Sequence, residues 1–297
     1  LMDRGDTVPK KLRESTKASL REAERLAKSW SGKGDGRIQY GFCPRFILTC
    51  SEELIRGAAE LADDLGLWLH THASEHADER KAVEALLGGS DVMLLDAWGF
   101  SGPRAVLAHC VQITEAEMEH LARQKTNVAH CPSANLKLGS GIARVAAMRK
   151  AGVNVGLGGD GAPCNNNLDP WLEMRHAALL AKVKSGIASL SARDVLRMAT
   201  IDGAKVLGID GIAGSLEIGK RADIVVVDLT GAHVAPAADL MATLVYATRA
   251  TDVRHVLIDG APVVVDGTVR TLDSDRIART ARAEAIRIGK AAGVLLQ

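Results

Sequence analysis

From Arg37 to about Lys184 the chain repeats one pattern: a short apolar run closes on polar or small residues, and a longer amphipathic segment follows. "RIQYGFCP" (37–44) precedes "SEELIRGAAELADDLG", in which Leu54, Ala58, Leu61 and Leu65 fall at helical spacing. Ser51, with Glu52 and Glu53 behind it, is a sound helix start, and Gly66 a sound stop. "LWLHTHA" (67–73) leads to a helix predicted over 75–87. "AVLAHC" (105–110) leads to "TEAEMEHLARQ", where Thr114 and Glu117 have capping-box spacing. "TNVAHCP" (126–132) precedes a helix predicted over 142–151, and "NVGLGGD" (154–160) one over 170–184. A further helix is predicted ahead of the pattern, over 10–30.

Strands alternating with helices imply βαβ units and a parallel sheet. Each predicted strand ends on a polar residue: Arg45, His72, His109, His130 and Asp160. Polar residues gathered at the C-terminal ends of strands mark the active face of a (β/α)8 barrel. A doubly wound sheet is the alternative, but it calls for a glycine-rich phosphate turn after its first strand, and no G-x-G-x-x-G occurs in that setting. The fold class expected is therefore α/β, a TIM-type barrel lacking roughly its first three βα units. The start at Leu1, with a charged stretch directly after Met2, reads as a sequence entered part-way.

After a helix predicted over 191–207 the texture changes. "GSLEIGKRADIVVVDL" and "VRHVLIDGAPVVVDGTVRTLD" are β-rich pieces, with Asp259-Gly260 and Asp266-Gly267 as hairpin turns. They predict a small β-sandwich appendage, followed by an amphipathic terminal helix capped by Ser274 or Asp275. The domains expected are 1–212, a partial barrel with the site, and 213–297, the C-terminal part of the small β domain and the terminal helix.

Composition narrows the class. With 47% hydrophobic and 25% charged residues, the 297-residue chain can bury a large core. A formal net charge of +1 and only 3% aromatic residues argue against nucleic acid or an anionic membrane as a partner. The five cysteines include no C-x-x-C pair, and the first residues lack the apolar core of a signal peptide. Reduced thiols and a cytoplasmic setting are expected.

Around "LHTHASE" (69–75), Trp68, His70 and His72 share one face of the predicted strand, and Glu75 follows just past its end. Neutral imidazoles bind divalent metals, and a nearby carboxylate can exchange a proton with water held there. The plainer alternative is a pair of inward polar residues satisfied by barrel neighbours. Asp160 follows "NVGLGG" and precedes the asparagine-rich "GAPCNNNLD". It can ligate a metal, or simply cap the next helix. Three histidines and an aspartate on successive strand ends favour a metal-centred hydrolase.

The set "LHTHASE", "LAHCVQIT", "AHCPSANLKLGSG", "GLGGDGAPCNNNLD" and "GSLEIGKRADIVVVD" resembles the amidohydrolase superfamily, in its branch of aminoaryl deaminases and triazine chlorohydrolases. "MDRGDTVP" and "CPRFILTCSEEL" are similar to guanine deaminases, and "DGAPCNNNLDPWLEMRHAALL" to nucleoside and adenosylhomocysteine deaminases. The resemblance implies His72 and Asp160 as metal ligands, with Glu75, His109 and Asp160 catalytic. It implies Arg45, His109 and Asn165 at the substrate, and a supporting role for His130; His70 has no ligand role in the pattern. The superfamily's own His-x-His pair belongs to the first barrel strand, absent here, so a parent of roughly 440–460 residues is implied.

The function implied is metal-dependent hydrolytic deamination of an aminated heteroaromatic ring (purine, pterin or adenine nucleoside) with release of ammonia. One divalent metal is implied, zinc first, with iron or manganese as alternatives. The partner is the small-molecule substrate, and a homo-oligomer is implied. Two alternatives remain open: a triazine-type chlorohydrolase using the same site, and an inactive fragment.

Overall fold

Five parallel strands stand side by side in the order in which the chain makes them. The structure, a computed structural model, describes residues 1–294. Helix α1 (Thr16–Trp30) leads into β1 (Gly41–Phe42), α2 (Glu52–Leu65), β2 (Trp68–Ala73), α3 (Ala77–Leu87), α4 (Asp91–Ala97), β3 (Ala105–His109), α5 (Glu115–Gln124) and β4 (Asn127–His130). Then come α6 (Pro132–Lys137), α7 (Val145–Lys150), β5 (Val155–Leu157), α8 (Ala162–Asn165), α9 (Pro170–Ser185), α10 (Ala192–Ala199) and α11 (Ile201–Val206). The remainder holds β6 (Ile224–Val227), α12 (Leu240–Tyr246), β7 (Val253–Ile258), β8 (Ala261–Val265), β9 (Thr268–Val269) and α13 (Ser274–Ala292).

The register of β1–β5 brings the strand ends level: His72 lies beside Ala108, Ala73 beside His109, and His130 beside Leu157. The alternating burial of β2 keeps Leu69, Thr71 and Ala73 buried and turns His70 and His72 to the other face. Behind the sheet, Phe42, Leu54, Ile55, Leu107, Met118, Met148 and Met198 form a fully buried layer between strands and helices. Burial of such side chains contributes about 1.5–3 kcal/mol each before entropy is counted. The sheet is open; the five strands do not close on themselves.

Local chemistry explains the element ends. Ser51 accepts the N–H of Leu54 at 3.1 Å, and Gly66 closes α2 in the left-handed region at φ 66°. The Thr114/Glu117 capping box forms as spaced. Both residues of Asp259-Gly260 and of Asp266-Gly267 take positive φ, and these pairs join β7 to β8 and β8 to β9.

Three expectations need correction. The first helix starts at Thr16, because residues 8–13 are bonded as turns onto Arg4 and Pro9. The helix expected over 191–207 breaks at Thr200, whose hydroxyl bonds back to the Leu196 carbonyl at 2.7 Å. The terminal helix is capped by Asp273, which accepts from Arg276 N–H at 2.9 Å, one residue earlier than expected. After the parallel strands, the described residues form a four-stranded antiparallel sheet, β6-β7-β8-β9. Helix α12, within the segment expected as appendage, packs against α9 and α10 and buries Val245. No described helix is long and apolar enough to cross a membrane.

Candidate metal centre

The strand ends are held in unusual backbone conformations. Ser74 (φ 48°), His109 (φ 73°), Cys110 (φ 49°) and Asp160 (φ 56°) all sit in the left-handed region, uncommon for residues with a Cβ. Hydrogen bonds pin them. Buried Asp91 accepts both the N–H of Ser74 and, at 2.6 Å, its hydroxyl. Cys110 N–H donates to the Ala73 carbonyl at 3.0 Å, and Gly161 N–H to Asp160 Oδ1 at 2.6 Å.

His72 projects from the end of β2 with its Nδ1 2.7 Å from the carbonyl oxygen of Arg45. A carbonyl only accepts, so Nδ1 carries the proton and the lone pair is on Nε2. Burial, then the neighbouring His109, lowers the His72 pKa and favours this neutral form. His109 ends β3, is fully buried, and stacks on His72 with ring centroids 5.3 Å apart. Its Nδ1 lies 2.8 Å from Asn135 Oδ1, which likewise frees Nε2. That Nε2 is 3.6 Å from Glu75 Oε2. Glu75 is half-buried, accepts from Ser140 Oγ at 3.3 Å, and its backbone N–H donates to Glu79 at 2.8 Å.

Ligand atoms of His72, His109 and Asp160 all lie within 4.8 Å of one another. Two imidazoles, each with its Nδ1 already bonded, and one carboxylate suit a divalent cation such as zinc. His109, expected beside the substrate, thus also belongs to the donor cluster. His70 does not: its Nδ1 pairs with the Cys43 thiol at 3.4 Å, and its ring is 6.2 Å from that of His72. His130 is buried at the end of β4 with an unpartnered Nδ1 among the described residues; burial lowers its pKa to about 3, so it is neutral. It stands outside the donor cluster.

The Arg45 guanidinium is exposed over the Phe46 ring at 5.6 Å, and its carbonyl is the group that holds His72. Asn165 is buried with its amide fully engaged. Its Nδ2 donates to Gly159 O and Glu173 Oε1, both at 2.7 Å, and its Oδ1 accepts from Asn167 and Leu168 N–H at 3.1 and 2.9 Å. Four bonds exhaust its capacity. Sequence reasoning missed Asn135, Asp91, Glu79 and Glu173. Only Glu79 carries a local signal: it stands three residues after His76, the cap of α3, at capping-box spacing.

A model described as "Amidohydrolase family" matches residues 2–263. A 5-methylthioadenosine/S-adenosylhomocysteine deaminase of Moorella thermoacetica is 42% identical over 90% of this chain. The chain spans 62% of that relative's length. Among solved structures, an adenosine deaminase of Xanthomonas campestris with bound zinc superposes with a TM-score of 0.90 at 34% identity. That match covers 95% of this chain and 64% of the other. An E. coli guanine deaminase superposes with a TM-score of 0.81 at 29% identity, covering 89% and 62% of the two chains.

Proposed function

Because the chain belongs to the amidohydrolase family, we propose that it carries most of the site of a zinc-dependent deaminase acting on an adenine nucleoside. The observation that carries the reading is the cluster of His72, His109 and Asp160 with Glu75 beside it, 3.6 Å from His109. The relative 42% identical is named for adenine nucleosides, whereas the guanine deaminase is 29% identical. The nucleoside is therefore preferred over other aminated rings.

His72 and Asp160 would hold the cation, with Nε2 of His109 turned to the same point. When bound, a divalent cation supplies Lewis acidity that lowers the pKa of water. Asp160 accepts a proton from the attacking water, whose oxygen bonds to the ring carbon bearing the amino group. Glu75 delivers a proton to the ring nitrogen. His109, whose Nε2 lies 3.6 Å from Glu75, helps to polarise the group under attack. Return of the proton from Asp160 to the amino nitrogen, with the hydroxyl proton passing to Glu75, releases ammonia and leaves the ring carbonyl. In this reading Asn165 holds the loop after Asp160, and Arg45 lies at the rim of the substrate pocket.

The reading includes an eight-stranded barrel of which β1–β5 are five strands, with residues 1–212 as the catalytic unit. Two further ligands belong to a His-x-His strand outside this chain, in keeping with the 62% share of the relative's length. A homo-oligomer in the cytoplasm belongs to the same proposal. The test is ammonia release from 5′-deoxyadenosine, S-adenosylhomocysteine and guanine, alongside metal analysis. Release from the nucleosides with stoichiometric zinc is expected. Turnover of guanine alone would overturn the substrate, and turnover undiminished by chelation would overturn the metal.

A further inference from the structure

Glu173 lies in the first turn of α9 and is only 3% exposed. An acid there commonly does no more than favour its own helix's N-terminus. Here both carboxylate oxygens point to other segments. Oε2 accepts the backbone N–H of Ser133 at 3.1 Å, and Oε1 accepts Nδ2 of Asn165 at 2.7 Å. Ser133 lies on α6 two residues before Asn135, the partner of His109. Asn165 in turn grips Gly159, Asn167 and Leu168, the loop that carries Asp160. A second bond from α9, His176 Nδ1 to Ser133 Oγ at 2.9 Å, braces the same point on α6.

We infer that Glu173 is a positioning residue that couples the Asp160 loop to helix α6, and through Asn165 and Asn135 sets the spacing of the donors Asp160 and His109. For its consequence at the metal this rests on the zinc reading; the coupling itself does not. The carboxylate is required because both of its partners are donors. An amide would accept from one and turn its NH2 toward the other. Rotating Asn165 to offer its oxygen would aim its own NH2 at the N–H groups of Asn167 and Leu168.

The experiment compares Glu173→Gln, Asn165→Asp, the double variant and, as control, Glu117→Gln. Glu117 is a buried carboxylate on α5 that serves Thr114 and Arg80 instead. Amide hydrogen exchange is followed over 131–138 and 158–168. Glu173→Gln is expected to speed exchange in both segments together, while the control leaves both as in the wild type. In the double variant, the carboxylate now at position 165 can accept the new NH2 while keeping Asn167 and Leu168, although the bond to the Gly159 carbonyl is lost. The amide oxygen now at position 173 can still accept from Ser133. Part of the protection should therefore return in both segments, an interaction that two independent losses of packing do not produce. Loosening of one segment alone, or no recovery in the double variant, overturns the coupling. Zinc affinity of Glu173→Gln should fall about 10–100-fold, as for groups that orient ligands. Wild-type affinity in a variant with both segments loosened would overturn the link to the donors. A wild-type chain that takes up no zinc sinks the metal reading alone, and the exchange data still decide the coupling.

Discussion

The Nδ1–H of His72 donates to the main-chain carbonyl of Arg45 at 2.7 Å. The same oxygen takes the His72 N–H at 3.3 Å and the Thr71 hydroxyl at 3.2 Å. A backbone group, not the arginine side chain, therefore orients the imidazole. Arg45→Ala should leave zinc affinity unchanged, whereas His72→Ala should lower it by at least the ~10–100-fold typical of lost orienting partners. Competition against a chromogenic chelator measures both. A large loss in Arg45→Ala would mean that the guanidinium, not the carbonyl, sets the ring.

Glu75 lies 3.6 Å from His109 of the donor cluster, and Ser140 and the turn at Glu79 hold it from two sides. Glu75→Gln keeps the size and one acceptor but cannot pass a proton. Turnover, read as ammonia released per bound zinc, should fall by about 10²–10⁴-fold. Zinc content should be unchanged, because Glu75 lies outside the cluster of ligand atoms. Near-normal turnover would remove Glu75 from the proposed proton path.

Burial, reinforced by Asp91, raises the Glu79 carboxyl from 4.5 to about 7. Between those values the folded chain keeps a proton that the unfolded chain has lost, so unfolding free energy falls as pH rises. The penalty is absent below pH 4.5, complete above about 7, and amounts to at most ~3 kcal/mol. His130 works the other way. Its folded value of about 3 lies below the ordinary 6.5, so stability is lost as pH falls below 6.5. Over pH 4.5–6.5 the two slopes oppose each other. Urea midpoints of Glu79→Gln should rise more steeply across that window than those of the wild type, and should lose less from about pH 6.5 to 8. Parallel profiles would show that Glu79 titrates near its ordinary value.

What could be read in advance follows the range of the forces involved. The five strands and their polar ends were legible because burial imposes periodicity over a few residues. The Asp-Gly hairpins were legible because both turn positions need positive φ. The break at Thr200 was not, since it answers to packing of α11 on β5. Asn135 and Glu173 were also hidden: their partners lie 26 and 40 residues away in sequence. His72 and Asp160 stood out by type and place, whereas the bond that orients His72, to the Arg45 carbonyl, is tertiary.

The packing of α11 on β5 yields the last prediction. A Cβ on Gly156 would lie 3.0 Å from the Gly203 Cα and 3.0 Å from Val206 Cγ2. The obstacle is backbone, so relief requires α11 to move as a unit, and the break at Thr200 is what lets Gly203 approach. Gly156→Ala should therefore cost about 1–3 kcal/mol, as for overpacking elsewhere. Because β5 leads directly to Asp160, zinc affinity should weaken in the same variant. Gly159→Ala is the comparison: its Cβ would meet only Leu168 Cδ2 and Asn165 Nδ2, at 3.6 and 3.9 Å, ordinary contacts. Urea unfolding of the two variants should separate them clearly, with Gly159→Ala close to the wild type. Equal losses would mean that the constraint lies in the strand's glycine backbone and not in the approach of α11.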